Sequence, residues 1–269
     1  MEFTIRNHIN TYVLRQPNYI KNYNSKYNNK KEFTINYLDY NYTFEKYYDD
    51  ENKLILYSYD KKSADCVTLT IERNKKIITL TSFGKMSGCF KQETNIGSNL
   101  LKLTLKMIEK YKNYFDINKI ILSDNSSYTC KTNEKLNMNI MMTLLTGDTW
   151  YGKYGFRPYE ETDYTIDKVG NNIYNKNKKI MNTILVSDIN LKKYLLKVNK
   201  KFPNEFTIEI IDEIITSTSK NKLLKDFLTE FTNKKSFDLS CKYFSTFYKK
   251  LFDDIGLKIS GHLYGKSIL

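Results

Sequence analysis

The chain has 269 residues, of which 41% are hydrophobic and 27% charged, so it can bury the core of one large domain or of a medium domain with a smaller one. No apolar run approaches the roughly 18–20 residues that a membrane-spanning helix needs. The N-terminus, Met-Glu-Phe-Thr-Ile-Arg, lacks the pattern of a secretory signal. These features predict an intracellular protein with no membrane partner.

The cysteines and histidines argue against a metal cofactor. No C-x-x-C pair occurs, and His8 and His262 are the only histidines, so no metal constellation can be assembled. We therefore expect free thiols in a reducing compartment. The cysteines concerned are Cys66, Cys89, Cys130 and Cys241.

The formal net charge of +13 has two interpretations. A basic face attracts the phosphates of a nucleic acid. Lys, Asn, Ile and Tyr also have AT-rich codons, so a biased genome would give the same charge without such a partner. Most lysines are spread along the chain, and Lys176, Lys178 and Lys179 form one local run. We favour coding bias with solubility over a nucleic-acid partner.

Alternation of apolar and polar residues predicts strands in the N-terminal part of the chain. A turn at 73–76 joins two of these strands into a hairpin, so the group forms an antiparallel meander. The predicted strands are 3–5, 33–37, 42–44, 54–59, 66–71 and 77–82.

Past Gly97 the apolar period changes from two residues to about 3.6, which predicts a helix that reaches Phe115. A β-branched apolar run then predicts a strand that ends at Ser123-Asp124. The remaining predicted elements are a polar loop at 125–135, a buried helix at 136–146, a short helix through Tyr154 and a last β-rich run at 184–186.

Beyond Asp188 the pattern becomes helical, with helices predicted at 191–200, 205–216, 222–231 and 237–252. We predict an α/β domain of residues 1–187 and an all-helical domain of residues 188–269, joined after a Lys/Asn-rich loop at 171–179. The C-terminal helices are candidates for covering a substrate, docking a protein partner or forming a homodimer.

Two motifs point to chemistry. The first, Gln92-Glu93-Thr94-Asn95-Ile96-Gly97-Ser98, is a polar turn that runs into a helix. Amides at a helix start bind a pyrophosphate, and Asn95 and Gly97 tolerate the left-handed backbone that a close approach requires. The second motif is Tyr151-Gly152-Lys153-Tyr154-Gly155-Phe156, of the form Y-x-x-x-G-F.

In this order, with a strand between them, the motifs resemble the cofactor motifs of the GNAT superfamily of acyl-CoA-dependent N-acyltransferases, over residues 50–187. The resemblance implies a GNAT-like α/β fold with a mixed, mostly antiparallel sheet and flanking helices. Two adjacent parallel strands would splay apart around acetyl-CoA or another acyl-CoA. The implied cofactor contacts are Met86, Ser87, Gly88, Gln92, Glu93, Thr94, Asn95, Ile96, Gly97 and Ser98.

The resemblance also implies that Tyr151 protonates the departing thiolate of coenzyme A. An amine acceptor needs a base, because an alkylammonium near pKa 10.4 is not nucleophilic. Many members carry a carboxylate on the strand before the turn, but residues 77–91 contain no Asp or Glu. Asp124 is therefore our preferred base, directly or through water.

Two functions follow from this pattern. The first is an N-acetyltransferase in which an amine attacks the thioester directly in a ternary complex; the acceptor is not specified. The second is a GNAT-like module that has lost catalysis and serves in protein or nucleic-acid binding, or in structure. The missing strand carboxylate favours it, as do Asn95 in place of the usual Gly and Leu144 in place of the usual Asn.

Overall fold

The computed structural model of the chain describes residues 30–47, 53–57, 65–83, 89–90, 96–130, 132–163, 165–233 and 237–268. The chain forms two compact units. The first contains the described residues up to Ser123 together with those from Gly265 onwards, and the second is Asp124–Tyr264. The predicted division at 187/188 falls inside the second unit. The predicted strand at 3–5 lies outside the described residues.

A sheet forms the framework of the first unit. Its strands follow one another in space in chain order: β1 (Lys30–Tyr37), β2 (Tyr40–Tyr47), β3 (Lys53–Tyr57), β4 (Asp65–Glu72), β5 (Ile77–Phe83) and β6 (Lys119–Ser123). Neighbours from β1 to β5 pair antiparallel, whereas β5 and β6 pair parallel. The predicted meander is therefore confirmed. Strands β1, β2 and β3 bury alternate side chains, because successive residues of a strand point to opposite faces, whereas β4, β5 and β6 also bury consecutive residues.

The hairpin between β4 and β5 turns through a single 3₁₀ turn, Arg73–Lys75, and Lys76 follows it with φ 57°. Farther along this pair the register shifts between the partners Thr68–Ser82 and Leu69–Leu80, which leaves Thr81 as the extra residue of a β-bulge. A bulge bends its strand and ends regular pairing. The parallel ladder between β5 and β6 has its last partners at Leu80 and Leu122, next to this bulge.

Helix α1 (Ile96–Phe115) covers the sheet of the first unit. Its buried side chains recur at helical spacing, so one face of the helix packs on the core while its lysines stay outside. The buried residues are Leu100, Leu101, Leu103, Thr104, Met107, Ile108 and Phe115. The Tyr111 hydroxyl donates to the Thr34 carbonyl over 3.0 Å, which ties the helix to β1.

The second unit is mainly helical. Its elements are β7 (Ser127–Thr129), β8 (Lys135–Asn137), α2 (Met138–Thr146), β9 (Arg157–Glu160), β10 (Thr165–Ile166), α3 (Lys168–Thr183), α4 (Leu191–Lys201), α5 (Ile208–Ser217), α6 (Leu224–Asn233), α7 (Phe237–Ser245) and α8 (Tyr248–Asp254). Strand β11 (Leu263–Ser267) then runs from this unit into the first. Within the described residues the protein is thus α/β, with eight α-helices and a large, mostly antiparallel sheet.

Several sequence predictions for the second unit are wrong. The predicted loop at 171–179 is the middle of helix α3, whose buried positions are Gly170, Tyr174, Asn177 and Met181. Only Met181 among these four has a flexible apolar side chain, so the sequence does not show the apolar periodicity that predicts a helix. The run at 184–186 forms no strand, only an isolated bridge between Leu185 and Leu223.

Two further corrections concern short strands. The predicted loop at 125–135 contains β7, which pairs antiparallel with β8. These strands are three residues long, too short for alternation to reveal them. The C-terminal region is not all helical, because it ends in β11. The predicted helix at 237–252 is divided between α7 and α8.

The expectation of free thiols is also wrong. Cys66 is bonded to Cys89, with their Cα atoms 5.5 Å apart, and Cys130 is bonded to Cys241, with their Cα atoms 5.9 Å apart. The first disulfide lies in the first unit and the second in the second unit. Disulfides persist in oxidising environments, so the prediction of a reducing compartment loses the argument on which it rested. Among the described helices, none combines the length and the apolar character that crossing a membrane requires.

Candidate functional site

Asp124 is the first residue of the second unit, and only 8% of its surface is exposed. Ser126 donates two hydrogen bonds to its Oδ1, from the backbone N at 3.1 Å and from Oγ at 2.5 Å. The backbone N of Asp124 donates to the carbonyl of His262 over 2.6 Å. Its Oδ2 is shielded from solvent and has no hydrogen-bond partner in the part of the chain that the structure describes. Oδ1 is therefore held by Ser126, whereas Oδ2 is left as an acceptor for a further hydrogen bond or a proton.

Burial raises the pKa of the Asp124 carboxyl, and the two hydrogen bonds from Ser126 act in the opposite direction. Removing a carboxylate from water disfavours its charged form unless hydrogen bonds or a cation compensate. Asp124 therefore takes up a proton more readily than a surface aspartate does. This is the direction in which a carboxyl must shift to act as a base toward an amine.

Tyr151 lies immediately before a 3₁₀ turn, Gly152–Tyr154. The Gly152 backbone N donates to Thr149 Oγ1 over 2.9 Å, which starts the turn. Gly155 follows with φ 88°, a left-handed conformation that favours glycine, and the chain then enters β9. The predicted short helix through Tyr154 is thus a single 3₁₀ turn within the Y-x-x-x-G-F motif.

Gly152 is closely surrounded. A Cβ there would lie 2.7 Å from Thr149 Oγ1, 2.7 Å from the Tyr174 hydroxyl, and closer still to Asp148 Oδ1. The Tyr174 hydroxyl donates to the same Asp148 oxygen. The backbone beside Tyr151 is therefore fixed by a polar cluster that only a residue without a side chain can approach.

The ring of Tyr151 is 6% exposed and packs between aromatic neighbours. Its centroid is 4.6 Å from that of Trp150 and 5.9 Å from that of Phe156, both with edge-to-face geometry. Burial raises the pKa of the Tyr151 phenol well above its usual value, and the negative charge of Asp124 raises it further. Tyr151 is therefore a neutral phenol over the whole physiological pH range.

The structure thus brings together the two predicted catalytic residues. The charge of Asp124 acts on the phenol of Tyr151, and also on that of Tyr264, which is fully buried. Burial is the main cause of the raised pKa of Tyr264. The result is one carboxyl near two phenols in an enclosed environment, where electrostatic effects are stronger than in water.

Sequence reasoning missed three polar residues of this cluster. Ser126 follows Asp124 by two residues, which is the spacing of a local side-chain-to-backbone turn and was a usable signal. Asn139 and Tyr264 carry no such signal. Asn139 Nδ2 donates to the Tyr264 hydroxyl over 2.8 Å, although the two residues are 125 positions apart.

The predicted cofactor contacts are described only in part. Ile96, Gly97 and Ser98 form the first turn of α1 in the first unit, which contains no acidic residue. A Cβ on Gly97 would meet nothing within 4 Å. This turn could therefore present its amides to an anion. Met86, Ser87, Gly88, Gln92, Glu93, Thr94 and Asn95 lie outside the described residues.

No group of three or more His, Cys, Asp or Glu side chains that could hold a metal ion occurs within the described ranges. The chain matches no protein-family model, no curated protein and no solved structure.

Proposed function

We propose that the protein transfers an acyl group, most simply acetyl, from a coenzyme A thioester to an amine. The observation that carries this proposal is the buried Oδ2 of Asp124, which has no hydrogen-bond partner among the described residues, together with the buried phenol of Tyr151, whose pKa the charge of Asp124 raises. Acyl transfer from a thioester to an amine needs a base and an acid: the amine loses a proton and the sulfur gains one.

The acid would be Tyr151. As the amine nitrogen bonds to the thioester carbon and the C–S bond breaks, the sulfur leaves with the electron pair and takes the phenolic proton. The raised pKa keeps this proton on Tyr151 in the resting protein. A thiolate is a weaker base than a phenolate, with thiol and phenol pKa values of about 8.5 and about 10, so the transfer to sulfur is driven by the proton that Asp124 returns to Tyr151. The aromatic enclosure by Trp150 and Phe156 excludes water from the ring.

The base would be Asp124. Ser126 holds Oδ1, so Oδ2 is the oxygen that would accept the amine proton. Because Oδ2 is shielded from solvent, this role requires a local opening that admits the amine or one water molecule. The proton gained by Asp124 could then pass to the Tyr151 phenolate, which restores both groups and balances the reaction.

Features of the first unit support the cofactor part of the proposal. The parallel ladder of β5 and β6 has its last partners at Leu80 and Leu122, beside the bulge at Thr81. A parallel ladder that ends at such a point supports the splayed pair of strands expected for a GNAT-like fold. The first turn of α1, with Gly97 open on its Cβ side, would offer amides to the pyrophosphate of coenzyme A.

A titration with acetyl-CoA tests the proposal, because Trp150 is the only tryptophan and contacts Tyr151. We expect a saturable change in Trp150 fluorescence and a matching rise in melting temperature. Ligand at about 100 times its Kd stabilises by roughly 2.7 kcal/mol. The same titration with desulfo-coenzyme A and with free adenosine diphosphate distinguishes binding of the thioester arm from binding of the nucleotide.

No response of either signal at millimolar acetyl-CoA would contradict the cofactor assignment. It would favour the alternative of a GNAT-like module without catalysis, for which the replacement of the usual Asn by the fully buried Leu144 is the supporting observation. Saturable binding without acyl transfer to any of a panel of primary amines would favour the same alternative.

A further inference from the structure

Helix α3 has two contrasting faces. Its buried residues are Gly170, Tyr174, Asn177 and Met181. With 3.6 residues per turn, the opposite face carries residues 168, 172, 175, 176 and 179, all of them exposed. We call this set the α3 stripe; it consists of Lys168, Asn172, Asn175, Lys176 and Lys179. The same face ends at the exposed Thr183, so it carries lysine, asparagine and one threonine.

The charge of the α3 stripe is not compensated within the helix. The sixteen residues of α3 include four lysines and no acidic residue. Lys178, outside the stripe, pairs with Asp148 over 3.2 Å. Lys168, Lys176 and Lys179 take part in none of the ion pairs found among the described residues. The stripe therefore presents three unneutralised cations to solvent.

Acidic groups close to α3 are already engaged. Asp148 accepts hydrogen bonds from the Tyr174 hydroxyl and from Lys178 Nζ. Asp167 caps the helix by accepting from the Gly170 backbone N over 2.9 Å. Glu160, Glu161 and Asp163 are exposed near the hairpin of β9 and β10, before the helix begins, so the positive character increases toward the C-terminal half of α3.

A further cation lies beside that half. Lys225 Nζ, on α6, donates to Asn182 Oδ1 over 2.5 Å. Lys168 and Lys179 are eleven positions apart, so the stripe is roughly 16 Å long at 1.5 Å per residue. That length covers two or three successive phosphates of one nucleic-acid strand, which lie about 7 Å apart.

We propose that the α3 stripe binds the phosphate backbone of a nucleic-acid duplex without reading its sequence. The lysines neutralise phosphates, and the amides of Asn172 and Asn175 donate to phosphate or sugar oxygens. An anionic membrane is the competing polyanion. The exposed Ile166 and Val169 lie beside Lys168, but the stripe itself has no aromatic or long apolar side chain to insert among lipids. Its asparagines match the hydrogen-bonding groups of a nucleic-acid backbone.

Fluorescence anisotropy with a labelled 20-base-pair DNA duplex of mixed sequence tests this surface, with the full chain and 50 to 200 mM KCl. The test variant is Lys168→Gln/Lys176→Gln/Lys179→Gln. The loss of three phosphate contacts should reduce the slope of log affinity against log salt by about 2.7. At 50 mM KCl we expect the affinity to fall at least tenfold, by the same electrostatics.

The matched control is Lys192→Gln/Lys201→Gln/Lys250→Gln, which removes the same net charge. Each of these lysines is about half exposed and pairs with a described acid. We expect the control to bind within twofold of the unaltered chain, and both variants to keep its circular dichroism spectrum. Equal weakening by the two variants would mean that net charge alone attracts the duplex, and would overturn the proposal. So would no binding at 50 mM KCl, or binding to phosphatidylserine vesicles without binding to DNA.

Discussion

Asn139 and Tyr264, separated by 125 positions in the sequence, meet in the interior of the second unit, where Asn139 Nδ2 donates to the Tyr264 hydroxyl over 2.8 Å. Asn139 is on α2 and Tyr264 on β11. Ser260 Oγ is also 3.4 Å from the same hydroxyl. This contact joins the end of the second unit to its first helix and lies within the electrostatic reach of Asp124.

Replacing Tyr264 by Phe should destabilise the fold, because Asn139 Nδ2 would stay buried without its acceptor. We expect a loss of about 1–3 kcal/mol in the free energy of unfolding, measured by urea denaturation. The double variant Tyr264→Phe/Asn139→Leu removes both partners and should recover part of that loss. Additive effects of the two substitutions would show that the contact contributes nothing.

Replacing Tyr151 by Phe should lower kcat for acyl transfer by about 10²-fold or more, the range for loss of a general acid. The affinity for acetyl-CoA should stay nearly unchanged, because the phenol acts on the departing thiolate and not on the bound thioester. Turnover and isothermal calorimetry check the two halves of this prediction. Unchanged turnover would remove Tyr151 from the mechanism.

Replacing Asp124 by Asn should make stability less sensitive to pH. The pKa of Asp124 is raised in the folded state, so the folded chain binds more protons than the unfolded chain between the ordinary carboxyl pKa of about 3.9 and the raised value. The free energy of unfolding therefore falls as pH rises through that window and stays lowered above it. Asn keeps an acceptor for Ser126 and carries no charge. We expect the variant to exceed the unaltered chain in melting temperature at pH 7 and to equal it near pH 3. A constant difference at both pH values would contradict the linkage.

Alanine substitutions at Gly152 and Gly97 distinguish a glycine required for packing from a glycine proposed to bind the cofactor. Gly152→Ala would drive a methyl group into Thr149 and Tyr174, and should cost about 1–3 kcal/mol in thermal or urea unfolding. Gly97→Ala meets nothing within 4 Å and should stabilise α1 by up to about 1 kcal/mol. If α1 binds coenzyme A, the same methyl group should weaken acetyl-CoA binding while the fold becomes more stable. Equal stability of the two variants would contradict the packing assignment.

Removing either disulfide should lower the stability of the fold, and the two losses should be unequal. The bond between Cys130 and Cys241 closes a separation of 111 positions, and that between Cys66 and Cys89 closes 23. On loop entropy the longer closure contributes more, by about 1.4 kcal/mol. We expect Cys130→Ser/Cys241→Ser to lower the melting temperature more than Cys66→Ser/Cys89→Ser. Thiol titration of the denatured, unreduced protein should find no free thiol; four would contradict both bonds.

Local patterning was sufficient for most strands and the helix of the first unit, but not for its disulfide or for the end of β11. Alternation predicted β4 and β5, and the helical period predicted α1, because each has a regular apolar face. The same reasoning failed for α3, where buried positions are occupied by Gly170 and Asn177 and hold together through contacts that sequence does not show. One of these is the bond from Asn177 Nδ2 to the Lys258 carbonyl, over 2.7 Å and 81 positions.

The residues of the candidate site also divide into those that local sequence patterns predict and those that depend on long-range contacts. Asp124 was predicted from its place at the end of a strand, and Ser126 was within reach of a local rule. Asn139, Tyr264 and the disulfide partners depend on long-range proximity, which spacing does not encode. Residues that act together over more than 100 positions can be found only once the chain is folded.

The composition of the first unit bears on how the protein is made. This unit includes Gly265–Leu269, and the Ile268 backbone N donates to the Asn118 carbonyl over 2.8 Å. On the ribosome, the first unit therefore stays incomplete after β6 has been made, because it includes a segment translated some 140 codons later. Because Tyr264 and Gly265 are neighbours in the chain, the two units are completed at almost the same point of synthesis, although β1 to β6 are made long before the last segment of their unit.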